Sequence, residues 1–85
     1  MERGAGSMKE IQIKFSTRER VLEFNRLMQT LPGEYDLSVG RVEIDAKSAL
    51  GVLSLDFSRV LTLTIYEEEE YPWVLDKLKV FEYSA

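Results

Sequence analysis

Two short segments carry side chains that could bind or receive a phosphoryl group. The first contains Lys47 and Ser48, which follow Asp45 and precede an apolar run over 49–53. Asp45 can accept a hydrogen bond from the backbone N–H of Lys47 or Ser48, so it is expected to cap a short helix over 46–53. Ser48 would then lie in the first turn, where the helix dipole favours negative charge and Lys47 supplies a cation. This pattern predicts a serine that can be phosphorylated.

Ser48 also has a plainer interpretation. Serine is common near helix starts because its hydroxyl can satisfy free backbone N–H groups. The sequence leaves both interpretations open.

The second segment begins the first predicted helix. Ser16 and Glu19 have the spacing of a capping box, in which the serine accepts from the Glu19 N–H. Arginines beside a helix N-terminus can bind an anion weakly, which makes this a possible weak anion site. Its residues are Ser16, Thr17, Arg18 and Arg20. We favour the interpretation that the arginines are solvated and pair with Glu19 or Glu23.

The elements that position these segments follow from the spacing of apolar residues. Alternation predicts strands over 9–15, 34–39, 42–44 and 59–66, and Gly40–Arg41 predicts a hairpin between the middle two. Spacing of three and four residues predicts helices over 16–31 and from Pro72 onwards, in addition to the short helix at 46–53. The predicted order is βαββαβα.

The run Lys47–Leu55, which reads Lys-Ser-Ala-Leu-Gly-Val-Leu-Ser-Leu, resembles the regulatory serine segment of HPr. HPr is the small phosphocarrier of the bacterial sugar phosphotransferase system, and its length and element order are also similar over about residues 8–81. The resemblance implies an α+β fold: a two-layer open-faced βαββαβα sandwich, with a four-stranded antiparallel sheet and helices on one face. It also implies that a kinase phosphorylates Ser48 and that the exposed part of the second helix binds protein partners.

The resemblance fails at the residue that carries the family's activity. HPr receives its phosphoryl group on a histidine at the start of the first helix, and this chain contains no histidine. Ser16 and Thr17 cannot replace it, because a phosphate ester is stable, whereas the P–N bond of phosphohistidine breaks readily.

We therefore expect a protein without enzymatic activity: an HPr-like regulatory or protein-binding module that cannot carry phosphohistidine and is switched by phosphorylation of Ser48. The expected partner-binding residues are Lys47, Leu50 and Leu53, and the expected partners are phosphotransferase-system proteins or a serine kinase. Two alternatives stay open. One is a phosphocarrier component of the sugar phosphotransferase system with an unexpected acceptor, and the other is a structural or oligomerising domain.

Composition narrows the remaining function classes. The chain has 85 residues, which suits one domain over 8–85, and Met1–Ser7 has the character of a tag or disordered tail. The net charge of −4 disfavours nucleic acid as a partner, because a phosphate backbone rewards clustered Lys and Arg.

There is no cysteine, and no apolar run approaches the roughly 20 residues of a membrane span. We expect a cytoplasmic protein that does not bind membranes and has no cofactor. The acidic run Glu67–Glu70 lacks the spacing of a calcium loop, so no metal site is expected.

Overall fold

The computed structural model describes residues 8–66 and 69–84. Within these ranges the predicted element order is confirmed: β1 (Lys9–Ile13), α1 (Arg18–Thr30), β2 (Tyr35–Val39), β3 (Val42–Asp45), α2 (Ala49–Ser54), β4 (Leu61–Ile65) and α3 (Trp73–Leu78), followed by a 3₁₀ turn at Lys79–Phe81. The fold is α+β, with a four-stranded antiparallel sheet in the order β1-β4-β2-β3. The predicted tail Met1–Ser7 and half of the acidic run, Glu67 and Glu68, lie outside the described residues.

Strand side chains alternate between two faces of different character, as the pleat requires. Leu63 in β4 is paired with Ile11 on one side and Leu37 on the other, and all three side chains are buried. The next pair along the strands, Gln12 and Thr62, points to the opposite face and is bonded side chain to side chain. One face of the sheet is therefore apolar and the other polar.

The helices cover the apolar face. Val21, Phe24 and Met28 recur at helical spacing along α1 and are fully buried, and Val74 and Leu78 do the same in α3. These side chains belong to one cluster with the apolar strand residues. Burial of both layers against each other is the main stabilising term of such a fold.

Three aromatic rings close the core where β1 runs into α1. Phe24 meets the edges of Phe15 and Phe81, with centroids 5.2 and 5.4 Å away, and Phe15 lies 6.0 Å from Phe81. Such edge-to-face pairs add about 0.5–1.5 kcal/mol each beyond area burial. The rings join the end of β1, the middle of α1 and the C-terminal turn.

The two edges of the sheet differ. Along β1, Tyr83 donates its backbone N–H to the Gln12 carbonyl at 2.7 Å, and Glu82 forms a bridge with Ile13. At the other edge lies β3, which follows β2 through a tight turn in which Gly40 has φ +58°. Glycine adopts this left-handed backbone without the penalty that a Cβ would bring.

Candidate partner-binding surface on the second helix

The α2 helix begins three residues later than the sequence predicts. Ser48 is the N-cap, and its hydroxyl accepts the Gly51 N–H at 3.2 Å. Asp45 does accept the Lys47 N–H, at 2.9 Å, and its carbonyl accepts the Ser48 N–H, but these bonds form a turn before the helix. The expectation that Asp45 caps a helix from Ala46 is wrong, because the Ala46 N–H bonds to the Tyr35 carbonyl at 3.0 Å and extends the β2–β3 pairing.

Lys47 is held against the body of the protein. Its ammonium donates to the Leu31 carbonyl and lies 5.5 Å from the centroid of the Tyr35 ring. Its own carbonyl accepts from the side chains of Asn25 and Gln29 on α1. The expectation that Lys47 acts as a counter-charge beside Ser48 is therefore wrong, because the ammonium is directed towards the end of α1.

The apolar residues of α2 divide into a buried and an exposed set. Val52 and Leu55 are in the core, and Leu53 is half-buried against it. Leu50 is 84% exposed, the largest exposed fraction among the large apolar side chains of the described residues. The sequence left open whether Leu50 or Leu53 is the exposed one, and the structure assigns that position to Leu50.

Gly51 lets the helix approach the sheet. A Cβ built on Gly51 would lie 3.2 Å from the Ser48 hydroxyl and 3.3 Å from the Cβ of Ile44 in β3. Both distances are shorter than ordinary van der Waals contact. The close approach fixes α2 against the edge strand, with Ser48 and Leu50 exposed.

The start of α1, which contains the possible anion site, has a different N-cap from the expected one. Thr17, and not Ser16, caps α1, with its hydroxyl accepting the Arg20 N–H at 3.2 Å. A capping box needs a glutamate or glutamine at the third residue of the helix. With Thr17 as the N-cap, Glu19 is the second residue, so the box expected between Ser16 and Glu19 does not fit this helix start.

Arg20 is occupied by the protein itself. Its guanidinium pairs with Glu23 at 2.8 Å, donates to the Val80 carbonyl at 2.8 Å and lies over the Phe81 ring. Pairing with Glu23 was the favoured expectation, and it is confirmed for Arg20. Ser16, Thr17 and Arg18 are exposed at the start of α1, whereas Lys47 bonds to Asn25 and Gln29 further along the helix, so the two candidate segments are separate.

A cleft that the sequence did not reveal lies at the open end of the β2–β3 hairpin, away from the turn at Gly40. It has a volume of about 340 Å³ and is lined by Gly33, Glu34, Tyr35, Asp36, Asp45 and Lys47. Asp36 and Asp45 are paired across the two strands, and Asp36 accepts the Tyr66 hydroxyl at 2.7 Å. The available signal was the alternation within each strand. Asp36 alternates with Tyr35 and Leu37, and Asp45 follows Ile44, so both carboxylates belong to the polar face.

In the part of the chain that the structure describes, no group of three or more His, Cys, Asp or Glu side chains is arranged to hold a metal ion. Nor is any helix in residues 8–66 and 69–84 long and apolar enough to cross a membrane.

The side chain of Asp56, in the loop after α2, has its pKa lowered from 3.8, chiefly by the hydrogen bond from the Ser58 hydroxyl and then by the Ser58 N–H.

The chain matches no protein-family model, and searches of curated proteins and of solved structures find no match. Topology and surface residues therefore carry the functional proposal.

Proposed function

We propose that this protein is a non-catalytic, HPr-like module that binds protein partners through α2 and is regulated by phosphorylation of Ser48. The observation that carries the proposal is the exposure of Leu50, at 84%, two residues from an exposed serine. A large apolar side chain that is this exposed gains little burial energy within the domain. Its burial by a partner would contribute about 1.5–3 kcal/mol.

The fold supports the HPr-like part of the proposal. The order βαββαβα on one antiparallel sheet is the order that the resemblance over Lys47–Leu55 implies. Folds of this kind host many functions, so the specific residues of α2 matter more than the topology.

The missing histidine argues for binding and against phosphoryl transfer. Without an imidazole, the chain lacks the side chain that forms a labile P–N bond in HPr. Of the two arginines that could have held an anion at the start of α1, Arg20 is engaged by Glu23, Val80 and Phe81. Recognition through a surface is the activity that these residues support.

Phosphorylation of Ser48 would change that surface strongly. A phosphoserine carries about −1.5 to −2 charges at neutral pH. The nearest lysine in the sequence, Lys47, directs its ammonium to the Leu31 carbonyl and the Tyr35 ring. The added charge would therefore be presented to solvent beside Leu50, where it would repel an acidic partner and attract a basic one.

Two measurements test the proposal. Incubation with ATP and an HPr-type serine kinase, followed by mass spectrometry, is expected to place phosphate on Ser48. Ser48→Ala is the negative control, and Ser54→Ala, an exposed serine of the same helix, is the matched one. Incubation with enzyme I and labelled phosphoenolpyruvate is expected to give no acid-labile phosphate, and stable incorporation would overturn the non-carrier assignment.

Partner binding is tested with Leu50→Gln in pull-downs from the native cell extract. Val80→Gln is the matched control, because Val80 is also an exposed apolar residue, at 67%. We expect proteins captured by the unmodified chain to be lost with Leu50→Gln and kept with Val80→Gln. Equal capture by both variants would remove α2 as the docking surface.

A further inference from the structure

We propose that the free edge of β3 binds an extended peptide whose side chains alternate between basic and apolar, so that the peptide adds a fifth strand to the sheet. This surface is distinct from the exposed face of α2, and the inference does not depend on the function proposed above. It rests on three properties of β3: its place in the sheet, the direction of its backbone groups and the charge of its side chains.

The place of β3 leaves one side unpaired. The strand order β1-β4-β2-β3 puts β1 and β3 at the two edges, and the C-terminal segment already bonds to β1 at Gln12 and Ile13. Among residues 8–66 and 69–84, no strand lies on the outer side of β3. A peptide can therefore pair here without displacing a strand, by the β-augmentation known for exposed sheet edges.

The backbone groups of β3 alternate between inward and outward directions. Ala46 bonds to the Tyr35 carbonyl, and pairs of an antiparallel ladder bond at every second residue. Val42 and Ile44 therefore bond inwards to β2, whereas Glu43 directs both its N–H and its carbonyl outwards. The Asp45 N–H also points outwards, while its carbonyl accepts the Ser48 N–H. An added strand would exchange two hydrogen bonds with Glu43 and gain a third from Asp45.

The side chains of β3 define what the peptide must carry. Val42 faces the helix side and is 51% exposed, and Ile44 beside it is half-buried against α2. On the polar face lie the exposed carboxylates of Glu43 and Asp45, with Asp36 across the hairpin. Residues directly opposite each other on neighbouring strands lie on the same face of the sheet. The peptide would therefore place apolar residues opposite Val42 and Ile44, and the residue between them, opposite Glu43, would lie on the polar face.

Charge selects the residue opposite Glu43. The hairpin segment 34–45 contains four carboxylates and one cation, and the carboxylates are Glu34, Asp36, Glu43 and Asp45. A second copy of this chain paired edge to edge would bring Glu43 opposite either Glu43 or Asp45 of the other copy, and like charges directly opposite are destabilising. Lys or Arg opposite Glu43 gives an attractive pair instead, so the fitting occupant is a basic and apolar strand of another molecule.

The probe is an acetylated, amidated peptide of about six residues in which Lys and Val alternate. Titrated into the isotope-labelled protein of 85 residues, it is expected to shift the amide signals of Glu43 and Asp45 saturably, with smaller changes in β1. The affinity should fall several-fold in about 0.5 M NaCl, because salt screens exposed charges. A peptide of the same composition with its lysines and valines in separate blocks should bind at least fivefold more weakly.

Three variants locate the site. Glu43→Pro removes an outward backbone N–H, which an edge strand tolerates, together with the Glu43 carboxylate, and should weaken peptide binding about tenfold while leaving the fold intact. Glu43→Lys should weaken it about fivefold at low salt, and Glu10→Lys, an exposed carboxylate on the opposite edge strand, should change it less than twofold. Absence of saturable binding, shifts that map elsewhere than β3, or equal affinities for Glu43→Pro and the unmodified protein would each overturn the proposal.

Discussion

Arg20 and Phe81 form a contact between the start of α1 and the C-terminal turn, with 4.4 Å between the guanidinium carbon and the ring centroid. The same guanidinium donates to the Val80 carbonyl, sixty residues later in the chain, and pairs with Glu23. Phe81 in turn packs on Phe24 and Phe15. One partly exposed side chain thus links the aromatic part of the core to the last turn.

Replacement of Arg20 by Ala should lower the free energy of unfolding by about 1–2 kcal/mol, because a cation–π contact and a charged hydrogen bond are lost together. Arg20→Lys should lose less, since it keeps the charge but not the planar fork. Urea unfolding followed by circular dichroism measures the change. Arg18→Ala, at an exposed position of the same turn, is the control and should stay within about 0.5 kcal/mol; similar losses for both variants would contradict this role for Arg20.

Phe24→Leu should cost about 1–2 kcal/mol and Phe24→Ala about 3–5 kcal/mol, because the ring is fully buried between two others and its removal leaves a cavity. For a domain of this size the milder change corresponds to a fall in Tm of several degrees, which calorimetry can measure. Leu22→Ala, on the exposed side of the same helix, is the control. An equal fall for Leu22→Ala would argue against the aromatic cluster as the centre of the core.

Ser48→Ala should destabilise α2 by about 1 kcal/mol, because the hydroxyl that caps the Gly51 N–H is removed. Ser48→Asp should retain most of the cap, since a carboxylate accepts the same bond. Hydrogen exchange at the Gly51 amide is the readout, and it should accelerate in the alanine variant only. Unchanged exchange in both variants would show that the cap contributes little.

The carboxyl of Asp56 should titrate with a midpoint below 3.8, because the Ser58 hydroxyl and N–H stabilise its charged form. Its pKa is lower in the folded than in the unfolded protein, so its contribution to stability is complete above about pH 3.8 and is lost as the pH falls through the folded pKa. Carboxyl chemical shifts across an acid titration measure this midpoint. Ser58→Ala should raise it towards 3.8, and an unchanged midpoint would contradict the assigned cause.

The alternation of apolar and polar residues predicted both faces of the sheet correctly. Ile11 and Ile13 in β1, and Leu61 and Leu63 in β4, are buried as expected, because period-two patterns depend only on local geometry. The helical spacing of Val21, Phe24 and Met28 in α1 was equally informative. The class and order of elements follow from such patterns without knowledge of distant contacts.

Helix caps were predicted less well, for a physical reason. At both starts two candidate caps compete, Ser16 with Thr17 and Asp45 with Ser48, and local chemistry allows either. Near α2 the choice is decided by tertiary contacts. Ala46 pairs with Tyr35 in the sheet, and Asn25 on α1 bonds the Lys47 carbonyl, so these residues are withheld from the helix.

The surroundings of the candidate site residues could not be derived from spacing either. The inward direction of the Lys47 ammonium depends on the Leu31 carbonyl, and the engagement of Arg20 depends on Phe81. Both partners are distant in sequence, and no periodic pattern records them. Leu50 and Leu53 are likewise too close together for periodicity alone to decide which of them the core covers.

The C-terminal segment that bonds to Gln12 and Ile13 makes the sheet asymmetric. The segment already occupies the outer edge of β1 at these residues, which hinders strand addition there, so a complex formed at β3 leaves no comparably open edge for a further strand. Complexes formed this way should stop at a one-to-one stoichiometry and should not propagate into fibres.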